Sequence, residues 1–278
     1  MPARKVIKYL AGWSGRWRKA ARDGSVSVLT YHRVTGDIPV ELDLPFAVFE
    51  EQMRWLAENV PVIPLRDAVE GLLAGDSSRP WSVVLTFDDA YEDFFTRALP
   101  LLRKLSLPAT LFVPTEFIDR PDRLPLSYSH PAAVEKMRPM TWDQLREVRD
   151  EPLVQIGGHT HRHRNLDQLQ AEEIRKEMLD SAERFREELE CVPTEFAYPR
   201  GAWSPQVADQ IAEFCETATI VGGALASTDN TRRYAVPRIP VRRSDGMKWF
   251  VQRVRGQMYL EEQITNAARR LLGKGAAY

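Results

Sequence analysis

Short apolar runs rich in β-branched residues alternate with amphipathic stretches of helical period, and this alternation limits the fold more than any other feature. The runs lie at 26–32, 82–87, 109–113, 154–156, 195–198 and 217–221. Continuous apolar segments of this length fit strands buried on both faces. Between them, Phe49, Met53 and Leu56 mark one helical face, and Ile174, Met178, Ala182, Phe185 and Leu189 mark a longer one. Thr141 with Gln144 forms a capping box that opens another helix. Ser204 before Pro205 is an N-cap and N1 pair, with Val207, Ile211 and Phe214 on the apolar face beneath it. Strand–helix alternation of this kind means βα units around parallel strands, an α/β fold.

A chain of 278 residues accommodates a single α/β barrel. With 44% hydrophobic and 28% charged residues, the composition excludes intrinsic disorder and a multi-span membrane protein. Lys plus Arg (38) and Asp plus Glu (39) nearly cancel, leaving no basic excess to attract nucleic acid. Cys191 and Cys215 are the two cysteines, and neither forms a Cys-x-x-Cys pair, which argues against a disulfide framework and excludes a Cys-based zinc site. No apolar run of the ~18 residues needed for a membrane span occurs.

Three units are expected: a basic amphipathic segment over 1–24, a barrel over 25–246 and a helical extension over 247–278. In the first unit Val6, Leu10, Trp13 and Trp17 recur at helical spacing, and no acidic residue precedes Asp23. The segment either lies on an anionic membrane surface or packs its Trp face on the barrel, and Gly12 and Gly15 weaken any helix there. Lys5, Lys8, Arg16 and Arg18 interrupt any secretory apolar core. The expected location is therefore the cytoplasm, with peripheral contact at the inner membrane face. Residues 118–139 are rich in Pro, Arg and Asp without periodicity and read as a long surface loop.

Three segments carry chemistry, and each falls where a strand is expected to end. Active sites of parallel α/β folds gather at such carboxyl ends. Asp88 and Asp89 are adjacent carboxylates that point in different directions, so one can bind a metal while the other faces substrate. In Gly157-Gly158-His159-Thr160-His161-Arg162-His163, the His159 and His163 spacing brings two imidazoles to one metal, and the glycines allow close backbone approach to a ligand. His161 offers an alternative pairing. Phe196-Ala197-Tyr198-Pro199-Arg200-Gly201 is a strand ending in a Pro-Gly turn with polar and aromatic groups. Together these supply the parts for metal-assisted amide hydrolysis. An Asp and two His leave open metal positions, a second Asp can take the water proton, and turn N–H groups can stabilise an oxyanion.

The order and spacing of Thr86-Phe-Asp-Asp89, His159-Thr-x-x-His163 and Phe196-Ala-Tyr-Pro-x-Gly201 resemble the polysaccharide deacetylases of the NodB-homology, carbohydrate esterase family 4 type. Tyr31-His-Arg-Val34, Phe49-Glu-Glu-Gln-Met53 and Arg238-Ile-Pro-Val241 extend the likeness over most of the chain. The resemblance implies a distorted (β/α) barrel of about seven parallel strands, fewer than the usual eight. It makes Asp88 the catalytic base and Asp89, His159 and His163 the metal ligands, with His161 a non-ligand. Thr160 then positions the ligand loop, Arg200 offers a backbone N–H to the oxyanion, and Tyr198 lies at the substrate side of the same turn. The metal would be zinc, with cobalt, nickel or manganese as alternatives.

Two positions depart from the family pattern. Many members place an Arg where Ala197 stands, to orient the catalytic Asp; Arg238, on a late strand, is the candidate substitute. Many members also carry a late His as general acid, but no histidine follows His163. His32 is the candidate replacement, and His130 in the long loop is a more distant one. The expected activity is removal of N-acetyl groups from amino sugars of a polysaccharide or lipid-linked glycan precursor. The alternatives are a deformylase or another amide hydrolase on the same barrel, and a carbohydrate-binding relic without catalysis.

Overall fold

The computed structural model describes residues 21–122, 136–261 and 263–264. The segment 1–20, His130 with most of the 118–139 loop, and the end of the C-terminal extension lie outside the described residues. Seven parallel strands close into a barrel. They are β1 (Ser25–Tyr31), β2 (Ser82–Asp88), β3 (Ala109–Val113), β4 (Val154–Gly158), β5 (Glu195–Ala197), β6 (Thr217–Val221) and β8 (Val236–Pro240). A short β7 (Ala226–Ser227) pairs antiparallel with β1. Closure runs through β1, which pairs with β2 over Val26↔Ser82 to Tyr31↔Phe87 and with β8 at Leu29↔Ile239 and Thr30↔Pro240.

Helices wrap this sheet: α1 (Phe46–Asn59), α2 (Leu65–Leu73), α3 (Leu99–Leu105), α4 (Thr115–Asp119), α5 (Trp142–Arg149), α6 (Ala171–Leu189), α7 (Pro205–Ile211) and α8 (Gly246–Val254). The capping box at α5 forms in both directions, and the Ser204 side chain accepts from the Val207 N–H at α7. Strand alternation sorts the core into two layers. Val83, Leu85 and Phe87 of β2 join an outer cluster with α1, α3 and α5, including Phe49, Leu102 and Leu145. Val84 faces an inner cluster with Val28, Phe112, Ala197 and Val236, joined by Leu65, Val69 and Leu72 of α2. Thr86 and Asp88 continue the Val84 face. The lumen therefore turns from apolar to polar toward the carboxyl end of β2. The helix α8 packs on the outer layer through Phe250 and Val254. No helix among the described residues is long and apolar enough to cross a membrane.

Candidate active site

The carboxyl ends of β2 and β4 bring Asp89, His159 and His163 together, each buried. Asp89 Oδ1 lies 3.4 Å from His163 Nε2 and 3.7 Å from His159 Nε2, and the two Nε2 atoms are 3.1 Å apart. Three potential ligand atoms thus converge on one point. His159 Nδ1 donates to the Ala197 carbonyl at 2.6 Å. That bond fixes the ring and leaves Nε2 as the acceptor facing Asp89, an arrangement typical of ligating histidines. Asp89 is fully buried with no backbone N–H or arginine in hydrogen-bonding geometry at its oxygens, and the Tyr91 side chain is the hydrogen-bonding group that draws its carboxyl down. A buried carboxylate so sparsely compensated is costly, and with two imidazole nitrogens beside it the three residues make a ligand set suited to a divalent cation. The residues present therefore fit a metal. His161 is excluded from the cluster, and its Nδ1 sits 2.8 Å from Thr115 Oγ1.

Asp88 belongs to a different set of contacts. Its two oxygens accept from Arg238 Nη1 at 2.6 Å and Nη2 at 2.9 Å, a bidentate pair with both side chains buried. Arg238 also donates to Thr86 Oγ1 at 3.2 Å and stands over the Phe112 ring. The arginine comes from β8, which flanks β1 on the side opposite β2, so closure of the barrel through β1 is what creates the pair. His32 Nε2 lies 4.0 Å from Asp88 Oδ2.

Electrostatics separate the two aspartates. Burial alone would raise the Asp88 carboxyl, but Arg238, with help from His159 and His32, outweighs it and holds the group below its usual range. Burial and the neighbouring Asp88 charge push Asp89 well above the usual carboxylate range. Desolvation lowers both His32 and His159 to about 4, so both rings are neutral near pH 7.

Backbone strain concentrates in the same place. Among the described residues, seven non-glycine residues have positive φ, of which Ser106 and Glu190 are ordinary left-handed helix C-caps. The other five, Asp89 (72°), Ala90 (49°), Thr160 (64°), His163 (53°) and Arg200 (55°), all lie in the loops around this cluster. Left-handed geometry is especially unfavourable for β-branched Thr160, and such strain gathers at functional sites. Thr160 Oγ1 accepts from the His163 N–H at 2.9 Å and so ties the two ends of the ligand turn. Arg200 sends its guanidinium to the His163 carbonyl (3.1 Å) and to Asn165 Oδ1 (2.9 Å).

Two readings of the sequence change. The Tyr198 side chain is buried in a cluster with Phe196, Leu166 and Ile211, and its hydroxyl donates to the Tyr234 carbonyl at 3.1 Å. Its side chain therefore braces the barrel wall and is not offered to substrate; an aromatic residue at a strand end does not reveal from sequence which way its ring turns. Gly157 is small for a different reason from ligand approach. A Cβ there would meet the Phe112 ring at 2.5 Å, so the glycine makes room for the residue beneath Arg238.

The polysaccharide deacetylase family profile matches residues 76–217, about half the chain, and the protein belongs to that family. The poly-β-1,6-N-acetyl-D-glucosamine N-deacetylase of Escherichia coli (strain K12) is 33% identical over 118 residues, covering 41% of this chain and 17% of that protein. YxkH of Bacillus subtilis (strain 168), which carries a polysaccharide-deacetylase name, is 26% identical over 191 residues, 68% of this chain and 62% of that one. The chain thus spans less than two thirds of either relative. Among solved structures, the Streptococcus pyogenes deacetylase PplD in complex with acetate superposes with a TM-score of 0.69 at 21% identity, covering 83% of this chain and 98% of that one. That likeness shows the shared barrel.

Proposed function

We propose that this chain is a metal-dependent hydrolase that removes N-acetyl groups from amino sugars of a polysaccharide or a lipid-linked glycan precursor. The observation that carries the reading is the pairing of unlike aspartates. Asp89 faces two imidazoles at 3.4 and 3.7 Å, and its neighbour Asp88 is held ionised by a bidentate arginine. Family membership and the named activity of the Escherichia coli relative support the same chemistry.

Asp89, His159 and His163 would hold the divalent metal, zinc or alternatively cobalt, nickel or manganese. When bound, such an ion polarises an amide carbonyl and makes water easier to deprotonate. Asp88 then acts as general base. Arg238 fixes both its oxygens, so the carboxylate is oriented and charged before substrate arrives. His32 starts neutral and so cannot begin the cycle as a loaded acid. It takes the proton that Asp88 removed from water and passes it to the departing amine. The backbone N–H of Arg200, in the strained turn beside the ligand loop, stabilises the developing oxyanion. Thr160 keeps the ligand turn closed.

Release of acetate from N-acetylated oligosaccharides tests the reading. Activity should vanish on chelation and return with added zinc. An N-formylated substrate assayed in parallel separates deformylase from deacetylase preference. A barrel that binds both metal and oligosaccharide but frees no acetate is a binding protein, and the proposal fails. For location, we propose the inner membrane face, with residues 1–20 meeting anionic headgroups. Cosedimentation with anionic vesicles should be lost in a chain that starts at Asp23, and equal binding by both chains would remove the idea.

A further inference from the structure

We infer that Glu177 is a positioning residue for the ligand loop: from helix α6 it fixes the backbone between His159 and His163 and so sets the spacing of the two imidazoles. This rests on the metal-site reading above. Glu177 is a carboxylate that is only 1% exposed, on a helix whose other acidic residues mostly face solvent. It stands three residues after Ile174 and beside Met178, on the face that meets the barrel and that otherwise carries mainly apolar side chains. Its Oε2 accepts from the Arg162 backbone N–H at 2.7 Å, and its Oε1 lies 3.3 Å from Arg162 Nη1.

The Arg162 N–H lies between the two strained residues Thr160 and His163. Two carbonyls that precede Arg162 are pinned as well. The Thr160 carbonyl accepts from the Thr115 N–H at 3.3 Å, and the His161 carbonyl accepts from the Glu116 N–H at 2.9 Å. Those contacts come from α4 and use neutral groups. Glu177 supplies the charged one, and charge-assisted hydrogen bonds are roughly twice as strong as neutral ones. The carboxylate is itself held firmly, because Ile174 and Met178 pack against Phe196 and Tyr198 of the barrel wall. A loop in unfavourable backbone geometry needs surroundings that over-determine it, and partners beyond the ligands commonly tune metal affinity tenfold to a hundredfold.

The Arg162 side chain is a separate matter. Its guanidinium reaches Asp180 at 3.0 Å and Glu116 at 3.6 Å, binding α4 to α6 across the outside of the turn. Arg162→Ala removes those ion pairs and the Nη1 contact to Glu177 Oε1, but keeps the backbone N–H that Glu177 Oε2 holds. The two variants therefore separate a backbone clamp from a surface ion network.

The test is titration of the chelator-treated full-length protein with cobalt(II), reading both affinity and the visible d–d spectrum, beside thermal unfolding of the metal-free protein. Glu177→Ala should weaken cobalt binding about tenfold to a hundredfold and alter the spectrum. Glu177→Gln, which keeps an oxygen to accept from the Arg162 N–H, should restore affinity to within about threefold, as should Arg162→Ala. Unchanged affinity and spectrum in Glu177→Ala, with cobalt bound by the wild type, would overturn the clamp alone. So would Arg162→Ala losing as much affinity as Glu177→Ala. A wild type that takes up no cobalt would overturn the metal reading and this inference with it. Should Glu177→Ala fail to fold, Glu177→Asp carries the test, since its shorter side chain keeps the charge but falls short of the N–H. Wild-type affinity in Glu177→Asp would then sink the proposal.

Discussion

Asp43 and Asp89 are both fully buried, yet their surroundings are opposite. Asp43 closes the loop after β1. Its Oδ1 accepts from the backbone N–H groups of Thr35 (3.1 Å) and Gly36 (2.7 Å) and from the Thr35 hydroxyl (3.0 Å), and its Oδ2 accepts from the Ile38 N–H at 2.8 Å. The Arg33 guanidinium stands 3.9 Å away. Every requirement of a buried carboxylate is met from within the fold. Asp89 has no arginine and no backbone N–H in hydrogen-bonding geometry at its oxygens, and faces His163 Nε2 at 3.4 Å and His159 Nε2 at 3.7 Å. Burial therefore does not separate a structural acid from a functional one. The distinction lies in whether the fold itself supplies the compensating positive charge and donors, or leaves that place for a cation.

Removing the charge from each aspartate should break the symmetry in opposite directions, and this is the largest expected effect. Asp89→Asn should lose metal and at least ~10³-fold of acetate release, since the electrostatic help of a bound ion is worth several kcal/mol. The same change should stabilise the metal-free protein by about 1–3 kcal/mol, because it relieves an uncompensated buried charge. Asp43→Asn should instead cost about 2–4 kcal/mol of stability, since an amide N–H₂ would confront backbone donors. Metal content should stay at the wild-type ratio in its folded fraction. Urea unfolding with metal analysis measures both. Equal destabilisation by the two changes would show that the contrast between these aspartates is false.

Asp88 sharpens the comparison because it shares the site with Asp89 but is compensated by Arg238. Asp88→Asn should keep its metal and lose about 10²–10⁴-fold in acetate release, the usual cost of losing a general base. If Asp88→Asn drops its metal while Asp89→Asn retains it, the two roles are exchanged.

Much of this was legible in the sequence, for reasons that mark where legibility ends. The strands β1 to β6 are announced by short apolar runs, because a strand buried on both faces has no polar alternation to disguise it. Boundaries moved by one or two residues: β2 reaches Asp88 and β4 reaches Gly158, so polar and glycine residues at the site belong to the strands. β8 was harder to see, since Val236-Pro-Arg-Ile-Pro240 carries two prolines and a charge. Arg238-Ile-Pro-Val241 hinted at it, and the charge makes sense only once barrel closure places it against Asp88. The His159 and His163 pair was visible because its spacing is local, while Asp89 joins it from another strand. Glu177 was not read as part of the site, because a glutamate in a helix full of glutamates carries no mark of burial. The available signal was its place beside Met178 on the apolar face. The Tyr198 orientation depends on the Tyr234 carbonyl, 36 residues further along, and nothing local encodes it.

The smallest effect concerns a third buried acid, Asp93, which stands between the two extremes. It accepts from the Val34 N–H at 2.5 Å, and Arg33 lies 3.7 Å away, but burial still raises its carboxyl to about 6. Its folded-state value lies above the unfolded one, so its contribution to stability is complete below about pH 4 and is lost as pH rises through 6. His32 and His159 act in the opposite sense. They are lowered to about 4, so their contribution is present above the unfolded value near 6.5 and is lost as pH falls toward 4. Over that interval Asp93 opposes the acid sensitivity of the two histidines. Asparagine at 93 cannot take up a proton, so the opposition disappears. Metal-free Asp93→Asn should lose about 2 kcal/mol more stability than wild type between pH 6.5 and pH 4, measured by urea midpoints across the range. Parallel pH profiles for the two proteins would mean that Arg33 and Val34 compensate Asp93 as fully as the loop after β1 compensates Asp43.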